Sequence, residues 1–418
     1  MRIAVIGGGI SGLSVAYYLS RVHQVTLFEK AGTVGGHTHT VIVQGNRGGA
    51  GPIPIDMGFI VHNDRTYPNL IRLFRELGVR TQPSDMSFGV FSRDTGFEYS
   101  SRGLAGFFAQ RSNLLSGEHY RLLREILRFN RGAVKFLRQN DADEITLGEF
   151  LSRGRYDAGF VNHYLFPMAS AVWSMPLSSM REFPAVTLIR FFEQHGMLGL
   201  NTHPKWKTVA GGSSTYIAPL TAPFADRIRL NARIQTVSRT DNGVGVRLAG
   251  GTVQMFDQVV FACHGNQILP LLEAPTPEER EVLGSFSTSR NEACLHSDDR
   301  LLPARTAARA SWNYLLTPES NNHATLTYHM NRLQSIAGPE NYCVTLNATA
   351  LIDPARILRT MTFHHPVYDA PAIRAQQRWG ELNGVKRTHY CGAYWFYGFH
   401  EDGLNSALRV ARVLGVKV

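Results

Sequence analysis

Apolar positions run unbroken through Arg2-Ile-Ala-Val-Ile6, the length of a buried strand, then switch to helical spacing at Leu13, Ala16, Tyr17 and Leu19. A second short strand is predicted over Gln24–Phe28. From Tyr67 to Trp206 the spacing is largely helical, and Leu70, Leu73, Phe74 and Leu77 share one face before Gly78 stops that helix. Residues 119–139 predict a longer helix with Leu123, Ile126, Leu127, Val134 and Leu137 on its apolar face. Strand patterns return at 228–234, 244–248, 257–262, 324–329 and 342–346. His364-His365, followed by Pro366, reads as a structural turn in preference to a catalytic or metal site, since no carboxylate or Cys sits at ligand spacing, and Gly45 to Gly51 as the evident flexible loop. The switching of periods predicts a fold of mixed α/β class.

The turn between the first strand and the first helix is Gly7-Gly-Gly-Ile-Ser-Gly12. In a strand, turn and helix of this kind Gly7 permits the tight turn, Gly9 lets backbone approach a pyrophosphate, and Gly12 lets the helix pack on the strand. The free N–H groups around Ile10 and Ser11 and the helix dipole then favour negative charge. The second strand ends in Glu29, about 20 residues on, where a carboxylate accepts hydrogen bonds from ribose hydroxyls. A carboxylate there repels a 2′-phosphate, which disfavours NADP and leaves FAD and NAD open.

Length changes this picture little: 418 residues suit about two or three domains with room to bury a large cofactor. The formal charge of +10 implies attraction to anionic partners. No zinc finger, RNP-type motif or basic-region heptad supports nucleic acid as that partner. Cys263, Cys294, Cys343 and Cys391 are far apart and form no CxxC pair, so neither a zinc site nor a disulfide framework is expected. The first strand begins at Arg2, and no apolar run approaches the roughly 20 residues that span a bilayer, so a cytoplasmic location is expected.

Glu29-Lys30-Ala-Gly-Thr-Val-Gly35-Gly36-His37 resembles the extended fingerprint of the FAD-dependent amine oxidase and phytoene desaturase superfamily, with His37 where an Arg is usual. Ile55-Asp-Met-Gly58-Phe59 is similar to the strand that turns back beside the flavin ring in that family. Val209-Ala-Gly-Gly-Ser-Ser214 is similar to its second Gly-Gly turn, and residues 257–262 to its closing strand. By position, Ile234 would set its backbone at the adenine. The stretch His389-Tyr-Cys-Gly392-Ala-Tyr-Trp395-Phe-Tyr397-Gly-Phe399-His400-Glu401-Asp402-Gly403-Leu404 resembles the C-terminal flavin motif, in which a strand enters a helix whose N-terminus faces the pyrimidine end of the ring. Ala393 stands where an acidic residue commonly binds the ribitol.

The resemblance implies non-covalently bound FAD. It also implies an α/β fold with a discontinuous, Rossmann-like FAD domain (1–66, 207–272 and 386–418) and an α+β substrate domain built from two insertions (67–206 and 273–385). More narrowly, the chain resembles bacterial NAD/FAD-binding, amine-oxidase-like flavoproteins whose genes neighbour cyclopropane-fatty-acid-synthase-like methyltransferases, which points toward lipid substrates.

Two departures bear on chemistry. Amine oxidases of the superfamily place a Lys near flavin N5, whereas this chain has no lysine between Lys207 and Lys386, and the corresponding region offers Arg290, Asn291 or Glu292. Tyr394, Trp395, Phe396, Tyr397 and Phe399 are candidates to face the reacting atom, with Phe399 in the position of a cage Tyr, and such rings suit an amine or an alkyl chain. His400, His37 and His39 are candidate acids or bases.

The expected function is therefore FAD-dependent desaturation of a small hydrophobic, fatty acyl or isoprenoid, substrate. Amine oxidation with peroxide release and a non-redox isomerase or hydratase stand as alternatives. Arg121, Arg124, Arg128, Arg131, Lys135 and Arg138 recur at intervals of three and four and form a candidate contact with an anionic membrane surface. The apolar Gly103-Leu-Ala-Gly-Phe-Phe108 precedes them, so a peripheral position on the inner face of the membrane stands beside the plainer reading of a solvated helix face in a cytoplasmic protein. No sequence feature specifies an oligomeric state.

Overall fold

The computed structural model describes residues 1–44, 51–138, 145–199, 204–317 and 323–418. The expected loop at Gly45 to Gly51 therefore falls almost entirely outside the described residues. The elements that position the site are β1 (Arg2–Ile6), α1 (Ile10–Leu19), β2 (Gln24–Phe28), α2 (Pro68–Glu76), α3 (Gly117–Arg138), α4 (Ala185–Gln194), β3 (Ile228–Arg229), β4 (Gln258–Phe261), β5 (Thr288–His296), β6 (Ile357–Pro366), β7 (Thr388–Tyr390) and α5 (His400–Val413).

Five of these strands form a parallel sheet in the order β3-β2-β1-β4-β7. Ile3, Ala4 and Val5 are fully buried, as expected of a strand covered on both faces. The stretch 257–262 thus lies between β1 and β7, inside the sheet. The run 228–234 is not one strand. β3 pairs with β2 for two residues, Asn231 turns the chain at φ 53°, and Ile234 opens a three-stranded antiparallel sheet. Alternation alone could not show that break, because both halves are β in pattern.

α1 is buried at nine of its ten positions because α5 covers the face turned away from the sheet. The helices can approach because Gly403 has no side chain: a Cβ there would meet Ile10 Cγ2 at 2.7 Å and Ser11 Oγ at 2.9 Å.

A seven-stranded sheet begins at its edge with β6 and β5, followed by Cys343–Leu346, Leu326–His329, Trp312–Leu316, Phe88–Ser92 and Glu98–Ser100. Its companion helices, including α3 and α4, share a second core built on Leu122, Phe129, Phe160, Leu188 and Tyr314. α2 instead packs Leu70, Leu73 and Phe74 into the core of the parallel sheet.

Two sequence expectations fail here. His364 and His365 do not make a turn, since both lie in β6 and pair with Arg290 and Ser289 of β5. The face that α3 buries is also rotated from the expected one: His119, Leu122, Glu125, Phe129 and Ala133 are buried, whereas Leu123, Ile126, Leu127, Val134 and Leu137 are half-buried. Glu125, a charge at a core position, hides that face from the apolar pattern. Its carboxylate is held by the Arg128 guanidinium through Nε at 3.1 Å and Nη2 at 2.5 Å. Arg128 also donates to the carbonyls of Gly154 and Arg155 and lies 4.1 Å over the Tyr156 ring. Arg128 therefore leaves the proposed cationic stripe, because removing it would strand a buried carboxylate. Arg121, Arg124, Arg131, Lys135 and Arg138 remain exposed. No helix among the described residues is long and apolar enough to cross a membrane.

Candidate functional site

The glycine turn after β1 has three distinct demands. Gly7 adopts φ 112°, and a side chain there would meet the Ala262 backbone at 2.9 Å. A Cβ on Gly12 would overlap the Gly7 carbonyl oxygen, so Gly12 sets how closely α1 lies on β1. Gly9 is different, since its Cβ would meet nothing within 4 Å. It is the N-cap of α1, where no side chain caps the first-turn amides and no acidic residue occupies the first turn. Open space over uncapped amides is what an anion at a helix N-terminus requires.

Glu29 closes this cradle from β2. Its Oε2 accepts the Gly8 N–H at 2.7 Å and its Oε1 the Ala31 N–H at 2.8 Å. The backbones of Glu29 and Ala232 are joined at 2.8 Å, which brings the start of the Ile234 strand beside it, while Lys30 is exposed. Gly35 donates to the Gly8 carbonyl at 2.7 Å, and a Cβ on Gly36 would sit 3.1 Å from Gly9 Cα. The second Gly-Gly pair thus lies directly on the first. We expect Glu29→Ala to weaken FAD binding about tenfold or more, the worth of one or two hydrogen bonds to a charged acceptor. A fluorescence-quenching titration of the apoprotein measures it, and an unchanged dissociation constant removes Glu29 from the site.

Of the expected strand at Ile55 to Phe59, only Ile55 and Asp56 lie in a strand, Ile53–Asp56, and the residues after it are tied to the Gly-Gly loop. Phe59 N–H donates to the His37 carbonyl at 2.8 Å, Met57 N–H to that of His39 at 2.9 Å, and a side chain on Gly58 would overlap the His37 carbonyl oxygen. The buried Asp56 carboxylate accepts from the Ser213 N–H and hydroxyl and from Thr40, so it anchors the turn in which Gly211 and Gly212 adopt φ 83° and 90°. Burial pushes the Asp56 carboxyl up to about 6 against the pull of those donors.

His400, expected as an acid or base, is buried instead. Its Nε2 is 3.0 Å from Thr38 Oγ1 and 3.2 Å from the Tyr216 hydroxyl, which itself bonds Thr38. Phe59 stacks on the ring at 3.8 Å, and burial holds its pKa well below the usual range. His400 fastens the start of α5 to the loop that carries Gly35 and Gly36. Glu401 likewise faces α2, where its carboxylate accepts the Asn69 and Leu70 N–H groups at 3.0 and 2.8 Å and caps that helix. Asp402 accepts the Phe399 N–H at 2.9 Å, and its burial raises it to about 7. Leu404 is fully buried, and Gly392 N–H donates to Ser406.

The aromatic run divides in two. Tyr394 and Trp395 are core residues under Phe286, at 4.7 and 4.9 Å between rings. Phe399 stacks on Phe191 of α4 at 5.2 Å, Tyr397 meets the same ring edge-on at 5.8 Å, and both border a cavity of about 460 Å³ between α2 and α4.

The structure also assembles a cluster that single residues did not reveal. His37 from the Gly-Gly loop stacks on Phe363 of β6 at 4.9 Å and lies 5.3 Å from His365 and 6.1 Å from His264, which follows β4. His364 is 6.5 Å from His264. Burial, then the neighbouring imidazoles, lowers His37 and His264 to about 3 and His365 to about 4, so these three rings are uncharged at neutral pH. His264 carried no signal in the sequence. His365 carried one, the Phe363, His365 alternation of a strand, which the following Pro366 obscured.

The sequence matches the family of flavin containing amine oxidoreductases over residues 10–318. No curated protein matches it. Among solved structures, a double mutant of putrescine oxidase superposes with a TM-score of 0.70 at 15% identity, covering 99% of each chain. A conjugated-linoleic-acid-producing fatty acid isomerase from P. acnes does so at 0.71 and 15%, again over 99% of each. Cyclohexylamine oxidase from Brevibacterium oxydans IH-35A gives 0.68 and 14% with the same coverage. The uncapped helix, the open Gly9 and the Glu29 carboxylate fit a diphosphate and a ribose, and the fold is shared from end to end. The chain belongs to the flavin containing amine oxidoreductase family and is an FAD-dependent oxidoreductase.

Proposed function

We propose that the enzyme desaturates a neutral, hydrophobic, lipid-derived substrate. Residues 1–66, 207–272 and 386–418 would hold FAD, and 67–206 and 273–385 would shape the substrate site. Bound FAD supplies the hydride acceptor. Gly7, Gly9, Gly12, Gly35 and Gly36 would meet its phosphates with backbone, and Glu29 its ribose. The observation that carries this reading is the His37, His264 and His365 cluster. The chain has no lysine between Lys207 and Lys386, and the His37 imidazole that stacks on Phe363 beside His365 is uncharged. Such a wall desolvates without charge and favours a C–H bond of an apolar chain over an ammonium. Phe399, Phe191 and Tyr397 extend the apolar lining.

The test is anaerobic incubation of the purified flavoprotein with fractionated fatty acids, phospholipids and amines while flavin absorbance is followed. Bleaching by acyl substrates supports the reading. Bleaching by amines alone overturns it in favour of an amine oxidase, and product formed without net bleaching favours an isomerase.

A second observation concerns delivery of such a substrate. Leu104, Leu114, Leu115 and Tyr120 are exposed, Leu115 at 91%, beside the exposed Arg111, Arg121 and Arg124. Exposed apolar side chains followed closely along the chain by exposed cations suit an anionic bilayer surface. We expect Arg121→Glu, Arg124→Glu and Arg131→Glu together to weaken cosedimentation with phosphatidylserine vesicles about 100-fold, at about 1 kcal/mol for each cation lost. Arg128 stays unchanged in this variant because it holds Glu125, and unaltered cosedimentation discards the contact.

A further inference from the structure

His365 is reached by a chain of hydrogen bonds whose first donor is beyond doubt. The Glu292 backbone N–H donates to Asn347 Oδ1 at 2.9 Å. That fixes the amide of Asn347, so its Nδ2 donates to Asn291 Oδ1 at 2.8 Å and to the Ala324 carbonyl at 3.1 Å. With Oδ1 of Asn291 accepting, its Nδ2 donates to His365 Nδ1 at 3.0 Å and to Ser289 Oγ at 3.2 Å. A nitrogen that accepts carries no proton. The uncharged ring of His365 therefore holds its proton on Nε2.

Asn291 is 2% exposed, and Asn347 adopts a left-handed φ of 58°. A buried amide in a strand pair costs more than an apolar residue unless its hydrogen bonds are made, and here each one is made in a single direction. The direction is toward the imidazoles that meet where β6 approaches the Gly-Gly loop. His37 Nε2, buried in the same cluster, has no hydrogen-bond partner among the described residues.

We propose that His365 is a proton-donor site, held by Asn291 and Asn347 as the Nε2–H tautomer, which gives a hydrogen bond to a lone-pair acceptor brought into the cluster. The acceptor is an oxygen or nitrogen of the flavin ring or of the substrate head. His365 cannot act there as a base, since its other nitrogen is already taken. Asn291 is a positioning residue that acts through it. The site rests on the reading that this cluster borders the reacting centre, whereas the tautomer does not.

The tautomer is read from two-bond ¹H–¹⁵N spectra of the FAD-loaded enzyme labelled with ¹⁵N-histidine, His365 being assigned by the pattern that disappears in His365→Gln. The expected pattern has a bare Nδ1 and a protonated Nε2. Asn291→Asp, which can only accept, should move the proton to Nδ1. A wild-type ring with Nδ1–H, or a pattern untouched by Asn291→Asp, overturns the proposal. The Nε2 resonance should shift when apoprotein is loaded with FAD if the acceptor is on the flavin, and only when oleate is added to the loaded enzyme if it is on the substrate. A resonance that moves with neither overturns the site. Failure of acyl substrates to bleach the flavin would instead remove the proposed function and leave this spectrum as it is.

Discussion

Gly9→Val should give a folded, colourless protein, and Gly12→Val should give little folded protein at all. Both replace a glycine of one turn, yet the glycines meet different neighbours. At Gly9 the backbone is extended, with φ −80° and ψ −174°, a conformation open to valine, and the new Cβ meets no protein atom within 4 Å. The space it enters is the space the diphosphate needs. Loss of two charge-assisted hydrogen bonds at about 1.5 kcal/mol each weakens FAD at least about 100-fold. At Gly12 the Cβ would overlap the Gly7 carbonyl, and a valine must push α1 off β1. α1 is buried on nearly every side, so the displacement opens the core of the parallel sheet. A rise of several kcal/mol there is comparable with the whole stability of a domain, about 5–15 kcal/mol. Flavin absorbance and the thermal melt of the apoprotein separate the two cases. A yellow Gly9→Val, or a Gly12→Val that melts like the parent, would show that the cradle is elsewhere.

That distinction was legible in the sequence, because a buried strand, a glycine turn and an amphipathic start of helix are local patterns with few physical solutions. Glu29 was legible for the same reason, being fixed by the length of one crossover. Glu401 was not. It sits in the motif that enters α5, but its partners are the first amides of α2, which are more than 300 residues away in sequence. His400 was assigned by adjacency to a flavin motif, and adjacency does not reveal that Thr38 and Tyr216 enclose its ring. Arg128 was counted with its neighbours at helical spacing, and spacing does not reveal that it pairs with the buried carboxylate of Glu125. The histidine cluster was hidden because its members come from the Gly-Gly loop, the end of β4 and an edge strand, and only the packing of two sheets brings them together.

The protein should lose stability steeply as pH falls from 6.5 to 4. His62, His195, His296 and His389 are buried, and burial lowers each from 6.5 to about 4. Below pH 6.5 the unfolded chain binds protons on these imidazoles while the folded one refuses them until about 4. Their contribution is thus whole above 6.5 and is lost as pH drops through that window, at about 3 kcal/mol for each ring. Asp56 and Asp402 work the other way. Raised from 3.8 to about 6 and about 7, they hold protons in the folded state that the unfolded chain has released, and they gain stability as pH falls through those values. These four rings against the two carboxyls give a net uptake of about two protons on unfolding near pH 5, a slope of about 2.7 kcal/mol per pH unit, and His37, His264 and His365, lowered to about 3, 3 and 4, steepen it. Across two pH units that approaches the lower end of domain stability. His62 isolates the effect, since neither ring nitrogen has a hydrogen-bond partner among the described residues and Phe74 meets it edge-on at 5.3 Å. His62→Leu should match the parent at pH 7.5 and lose stability more gently in acid, by one proton's share of the slope. Thermal melts of both proteins between pH 8 and 4 decide it. A melting temperature that holds level or rises toward pH 5 would mean that the carboxyls, and not the imidazoles, govern the acid limb.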